Sequence, residues 1–170
     1  MRWFMGVWML LAPSLGWAGD SLERAAEHQR AARIGFIIGA SAPMLMIAAT
    51  ALEPEAAGAA QPAVAAVGVA GSAVGLTLLG RRSMKAGTLL ELSGGGGAVT
   101  LFFDIAAVAL GTHYVLVGQS TSSATGYLIA SAGALTAGGL QLRRNQFISE
   151  MRTDPRVYIT PNGAGITGQF

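Results

Sequence analysis

Cysteine is absent from all 170 residues, which excludes a disulfide framework, a cysteine-ligated metal and thiol chemistry. Charge is nearly as scarce: Asp, Glu, Lys and Arg make up 12% of the chain, against 52% hydrophobic residues. A soluble domain carries about a quarter of its residues as charges, so composition argues against a water-soluble fold. A mean hydropathy of +0.49 points the same way. The net charge of +2 could suggest nucleic acid, but displacing its counterions needs many Lys and Arg on one face, and here the basic residues flank apolar runs as membrane anchors do. No nucleic-acid partner is expected, and the implied solvent is the lipid bilayer.

The few charges are blocked. They fall at residues 20–33, at Glu53 and Glu55, at 81–91 and at 143–156, and the intervening gaps hold a single charge, Asp104. Uncharged apolar gaps bounded by charge are the pattern of an all-α membrane protein with several spans.

Met1-Arg2 gives a positive start, residues 3–12 an apolar stretch, Pro13 a breaker, and Gly16-Trp17-Ala18 a small-residue cleavage pattern. This predicts a signal peptide over 1–18, the alternative being an uncleaved anchor. Residues 19–33 form a helical lead-in, with Asp20 as N-cap and Glu23 closing a capping box. The lead-in runs straight into the first span.

Four spans follow within 34–142, at about 34–52, 63–80, 98–117 and 124–142. Pro43 predicts a kink in the first, because its ring removes the hydrogen bond to the Gly39 carbonyl. The second and fourth share Ala-Gly ahead of Leu and Arg-Arg at constant spacing, from Ala70 and from Ala132, which suggests two tandem hairpins. The remainder, 143–170, is a polar tail closing in a short hairpin-like segment around Asn162-Gly163.

Small residues recur at helical spacing: Gly35 and Gly39 in the first span, Gly68, Gly71 and Gly75 in the second, Gly111 in the third, and Ala134 and Gly138 in the fourth. In lipid, helices have no hydrophobic drive to associate, and such stripes supply close backbone packing instead. Two uses fit the stripes: an intrachain four-helix core, which the need of every span for internal partners favours, or a seam for a homo-oligomer or another membrane protein.

Orientation is contested within the sequence itself. Every Lys and Arg after Arg2 lies on one side of a four-span arrangement. The positive-inside rule puts that side in the cytoplasm, whereas a cleaved signal peptide delivers the lead-in and, with four spans, the tail to the other side. The remaining segments predict an interfacial helix at Ser83–Leu92, a flexible linker at Gly94–Gly97, and an aromatic belt made of Tyr114 and Tyr127.

Chemistry is sparse. His28 and His113 each lack a second ligand one helical turn away, no serine elbow is present, and no carboxylates are paired for acid–base work. The expectation is no enzyme, no metal site and no cofactor. Asp104, about six residues into the third span, is the exception, because a carboxylate there is costly and turns toward the bundle interior or water. Its candidate hydrogen-bond partners are Ser41, Ser72, Thr77, Ser131, Thr136 and Gln141. Asp104 then either locks helices together or serves a small proton- or cation-linked transporter. The bland reading is preferred, and it makes the protein a structural or interaction component of a membrane complex, expected in the bacterial inner membrane.

Overall fold

In the computed structural model, which describes residues 3–52, 58–118, 120–153, 156–160 and 163–167, the chain forms four helices and a hairpin. The helices are α1 (Trp3–Ala51), α2 (Ala60–Leu89), α3 (Gly95–Leu116) and α4 (Thr121–Thr153). The strands β1 (Arg156–Thr160) and β2 (Gly163–Thr167) pair antiparallel with Thr160 opposite Gly163. The two residues joining the strands, and Glu53-Pro54-Glu55 after α1, lie outside the described residues. Three helices are long and apolar enough to cross a membrane: α1 over Asp20–Ala51, α2 and α3. α4 has 33 residues, but Ser, Thr, Gly and Gln141 dilute its apolar stretch, and it is not among them.

The distribution of side chains inverts that of a soluble bundle. Large apolar residues point outward, among them Ile34, Ile37, Met44, Ile47, Val67, Val74, Phe102, Ile105, Ile129 and Leu140. The interior instead holds Ala, Gly and the polar side chains of Gln29, Gln61, Ser72, Ser83, Thr100, Asp104, Ser131, Gln141 and Asn145. The buried face is thus marked by small size and by hydrogen-bonding capacity. Buried positions recur at alternating intervals of four and three, as in Tyr127, Ser131, Ala134, Gly138, Gln141 and Asn145 of α4. That is the 3.5-residue period of helices packed at small crossing angles.

The tightest seam joins α1 to α2. A Cβ on Gly35 would lie 2.6 Å from the Leu79 amide nitrogen and 2.7 Å from the Gly75 carbonyl oxygen. One on Gly75 would lie 2.8 Å from the Gly39 Cα. Gly68 faces the Ala42 carbonyl oxygen at 3.0 Å, whereas Gly71 meets only the Ala42 methyl at 3.1 Å. On the other side of α2, Leu79 and Thr100 converge on Gly138, and Val69 and the Tyr127 ring on Gly111. Ala134 is fully buried in one cluster with Leu76 and Leu79.

Several sequence-based expectations are corrected. Asp20 is no N-cap, because α1 is already helical from Trp3, and α1 continues through Pro13 rather than breaking there. Ser83–Leu92 is not a separate interfacial helix: α2 runs on through it to Leu89 and buries Ser83, Ala86, Gly87 and Leu90 on one face. The stop is a Schellman turn, with Leu92 N donating to the Gly87 carbonyl at 2.8 Å and Glu91 N to that of Thr88 at 3.0 Å. Glu91 takes the left-handed position, at φ 57°. Gly94–Gly97 is not a linker either. Gly94 caps α3 and the next three form its first turn, where a Cβ on Gly97 would lie 2.6 Å from the Gly80 carbonyl oxygen. Glycine is needed there for close approach.

Gly75→Ala should therefore lower the thermal unfolding midpoint in mild detergent sharply, by more than the ~1–3 kcal/mol typical of overpacking, since backbone cannot step aside. Gly71→Ala should be close to neutral, because a yielding methyl is offset by about 1 kcal/mol of helix propensity. Leu78→Ile should also be mild. Equal losses for the two glycine variants would mean that α1 and α2 are not in backbone contact.

Candidate functional site

Asp104 lies on the buried stripe of α3, which runs Gly97, Thr100, Asp104, Ala107, Gly111 and Tyr114. It is 4% exposed, while Phe102 and Ile105 beside it are 70% and 71% exposed. One helical turn thus presents a carboxyl group inward and large hydrocarbon outward. Its Oδ2 accepts a hydrogen bond from Thr77 Oγ1 of α2 at 2.6 Å, so one of the six candidate partners is in place. Ser41 and Thr136 instead donate to their own helices, at Ile38 and Ala132. Asp104 Oδ1 is buried without a hydrogen-bond partner among the described residues, and so are Ser131 Oγ and Gln61 Oε1.

Below Asp104 the interior is organised by two tyrosines. Tyr127 Oη donates to the Gly68 carbonyl at 3.1 Å and accepts from Ser72 Oγ at 2.5 Å, so one phenol closes α4 onto α2. Tyr114 Oη accepts from Gln61 Nε2 at 3.3 Å, tying α3 to α2. Both rings are buried, at 1% for Tyr114 and 0% for Tyr127, which overturns the aromatic-belt expectation. The physical reason lies in their neighbours. Gly111 faces the Tyr127 ring without a side chain of its own, and buried groups, the Gly68 carbonyl and Ser72 hydroxyl for Tyr127 and the Gln61 amide for Tyr114, satisfy the phenols there.

A second polar cluster occupies the basic end. Gln141 Nε2 donates to Asn145 Oδ1 at 2.9 Å and to the Ser93 carbonyl at 3.1 Å, while its Oε1 accepts from Gly96 N at 3.2 Å. Asn145 Nδ2 donates to the Ser83 carbonyl at 2.8 Å, and Gln29 Nε2 to the Asn145 carbonyl at 3.2 Å. All four helices meet in these bonds. Sequence reasoning offered Gln141 only as one of six candidate partners of Asp104 and missed Gln29 and Asn145 altogether. The available signal was the spacing of Gln141 and Asn145, one turn apart on the stripe that carries Ala134 and Gly138.

The two histidines stand apart. His113 Nδ1 lies 2.9 Å from Ser123 Oγ at the start of α4, where Ser120 Oγ accepts from Ser123 N as an N-cap. His28, on the lead-in part of α1, accepts at Nδ1 from Arg82 Nη1 of α2 at 3.1 Å, since guanidinium can only donate. Among the described residues, no group of three or more His, Asp and Glu lies close enough to hold a metal ion. No known protein family matches the chain, and no curated protein or solved structure matches it.

Burial, and then the positive charges of Arg82 and Lys85, hold the His28 imidazole below its ordinary value of 6.5, against a smaller opposing pull from Glu27. The unfolded chain thus binds this proton more readily than the folded one. The contribution of the His28–Arg82 contact is complete above about pH 6.5 and is lost as pH falls through the lowered value. Comparing the unfolding midpoints of wild type and His28→Gln between pH 8 and pH 5, we expect wild type to lose more on acidification. A difference that is constant across the range would remove this contact as a pH-sensitive element.

Proposed function

We propose that the protein is a rigid four-helix membrane module, acting as a structural or interaction component of a membrane complex. The observation that carries this reading is the use made of the buried polar groups. Asp104 binds Thr77, Tyr127 binds Ser72 and Gly68, and Gln141 with Asn145 gathers α1, α2, α3 and α4. Chemistry that a transporter would spend on a pathway here fastens helix to helix.

In this reading α4 is a fourth span, although it is less apolar than the others. Its outward face carries Ile129 and Leu140, and the exposed Thr136 hydroxyl is satisfied by the Ala132 carbonyl at 2.9 Å, as lipid requires. Residues 1–18 act as the signal segment, and the bacterial inner membrane is the compartment that fits a helical bundle with such a segment. The arrangement can be tested by cysteine labelling, since the chain has no native cysteine. Thr88, Ser122 and Glu150 are exposed, unlike the fully buried Ser83. In intact spheroplasts, an impermeant thiol reagent should treat Thr88→Cys and Glu150→Cys alike and Ser122→Cys oppositely. Glu150→Cys behaving like Ser122→Cys would remove α4 as a span.

One observation favours a second reading, a small proton- or cation-linked transporter: Asp104 Oδ1 is buried and unpartnered. Substitution separates the two. Asn retains an oxygen that can accept from Thr77 but cannot ionise, so a structural Asp104 predicts that Asp104→Asn folds and co-purifies with partners as wild type does. Asp104→Ala should lose about 1–3 kcal/mol, the cost of an abandoned buried hydroxyl. Proton- or cation-dependent flux in vesicles, present in wild type and abolished by Asp104→Asn without loss of stability, would replace the scaffold with the transporter.

A further inference from the structure

The outward strip of α2 forms an open groove of about 560 Å³. Toward the middle of α2 it is walled by Ala73, Val74 and Leu78, and toward the C-terminal end of the helix, here called its mouth, by Arg81, Arg82 and Lys85. Thr77, the donor to Asp104, lies between the two parts. The strip is bordered by α3 through Thr77–Asp104 and by α1 through Arg82–His28. We infer that this groove binds a phospholipid with an anionic headgroup, the phosphate seated on the three cations and an acyl chain lying along Ala73, Val74 and Leu78.

Charge is the first argument. Among the described residues, neither arginine nor the lysine has a carboxylate within ion-pairing distance, the described ion pair being Arg152 with Glu91 at 3.7 Å. The contact Arg82 does make, to a neutral imidazole nitrogen, leaves its charge uncompensated. Three like charges within about one turn and a half of one helix repel each other, and an anionic phosphodiester relieves that repulsion. Dimension is the second argument. From Val74 to Lys85 the strip rises about 16 Å, which matches one leaflet, roughly 15 Å of hydrocarbon. The cations therefore reach headgroup level where the apolar residues reach acyl depth. A free phosphate would use the mouth and leave the apolar part unfilled, so a tailed ligand is the better fit. The inference requires only that α2 lies in a bilayer and is independent of the scaffold reading.

The test uses the full chain, purified in a neutral detergent and titrated with phosphatidylglycerol, with phosphatidylcholine of the same acyl chains, or with inorganic phosphate. Retained lipid is read by native mass spectrometry and stability by the unfolding midpoint. Phosphatidylglycerol should be retained and should raise the midpoint, with a much smaller effect of phosphatidylcholine and none of millimolar phosphate. Arg81→Gln with Lys85→Gln leaves the Arg82–His28 contact in place and should raise the half-saturating phosphatidylglycerol concentration roughly 25-fold, about fivefold per cation. Val74→Trp should block the acyl part. Equal stabilisation by both lipids, a phosphate effect equal to that of phosphatidylglycerol, or indifference to both sets of substitutions would each overturn the site. Should the double variant fail to fold, the comparison of the two lipids on wild type still decides.

Discussion

The approach of two backbones at Gly39 and Gly75 is the constraint on which the rest of the bundle depends. Lipid offers no hydrophobic reward for bringing helices together, so van der Waals contact between main chains must supply it. With α1 held against α2 there, Leu76 fills the space over Gly39, and Leu79 is directed across the bundle to Gly138 of α4. The seat for the fourth helix is thus set by the first contact. Gly80 and Gly97 repeat the device between α2 and α3, so that α2 packs on α1, α3 and α4, most extensively on α1.

Once the helices are close, polar side chains decide which way they face. A hydroxyl or amide left unpaired in hydrocarbon costs several kcal/mol, so a rotation that strands Tyr127, Ser72, Gln141 or Asn145 is disfavoured even where its packing would be acceptable. Glycine contacts supply nearness and are tolerant of small rotations; the hydrogen bonds remove that tolerance. The two are divided along the bundle, with tyrosine-centred bonds toward one end and amide-centred bonds toward the other.

The helices and their approximate extents were legible in the sequence because charge-free apolar runs leave a strong signal. Their ends were not, since Ser83–Leu89 and Arg143–Thr153 remain helical through charged surroundings by packing one face on a neighbour. Asp104 was legible because a lone carboxylate in an apolar run has few stable orientations, and Thr77 stood among the candidates for its partner. The tyrosines were misread because position near a span end suits a belt and a core equally. What separates the two is what the other helices present, for Tyr127 a side-chain-free Gly111 against its ring and the Gly68 carbonyl for its hydroxyl, which no local pattern reveals. The glycine run at 94–97 failed for the same reason: flexibility is a property of isolated chain, whereas here Met84, Gly80 and Gln141 crowd the backbone.

Helix length has a consequence for how the molecule meets water. α3 has 22 residues, about 33 Å, close to the ~30 Å of a hydrocarbon core. Its first turn is level with Gln141, since a Cβ on Gly96 would touch that side chain, and α4 continues from there to Thr153. That extension rises about 18 Å, against a headgroup layer of only about 6 Å per side. With a bilayer registered on α3, the end of α4 stands clear of the phosphates, and α1, tied to it where Gln29 reaches the Asn145 carbonyl, rises beside it as the other half of a paired mast. A molecule arriving from solution would encounter those paired ends before it encountered any lipid.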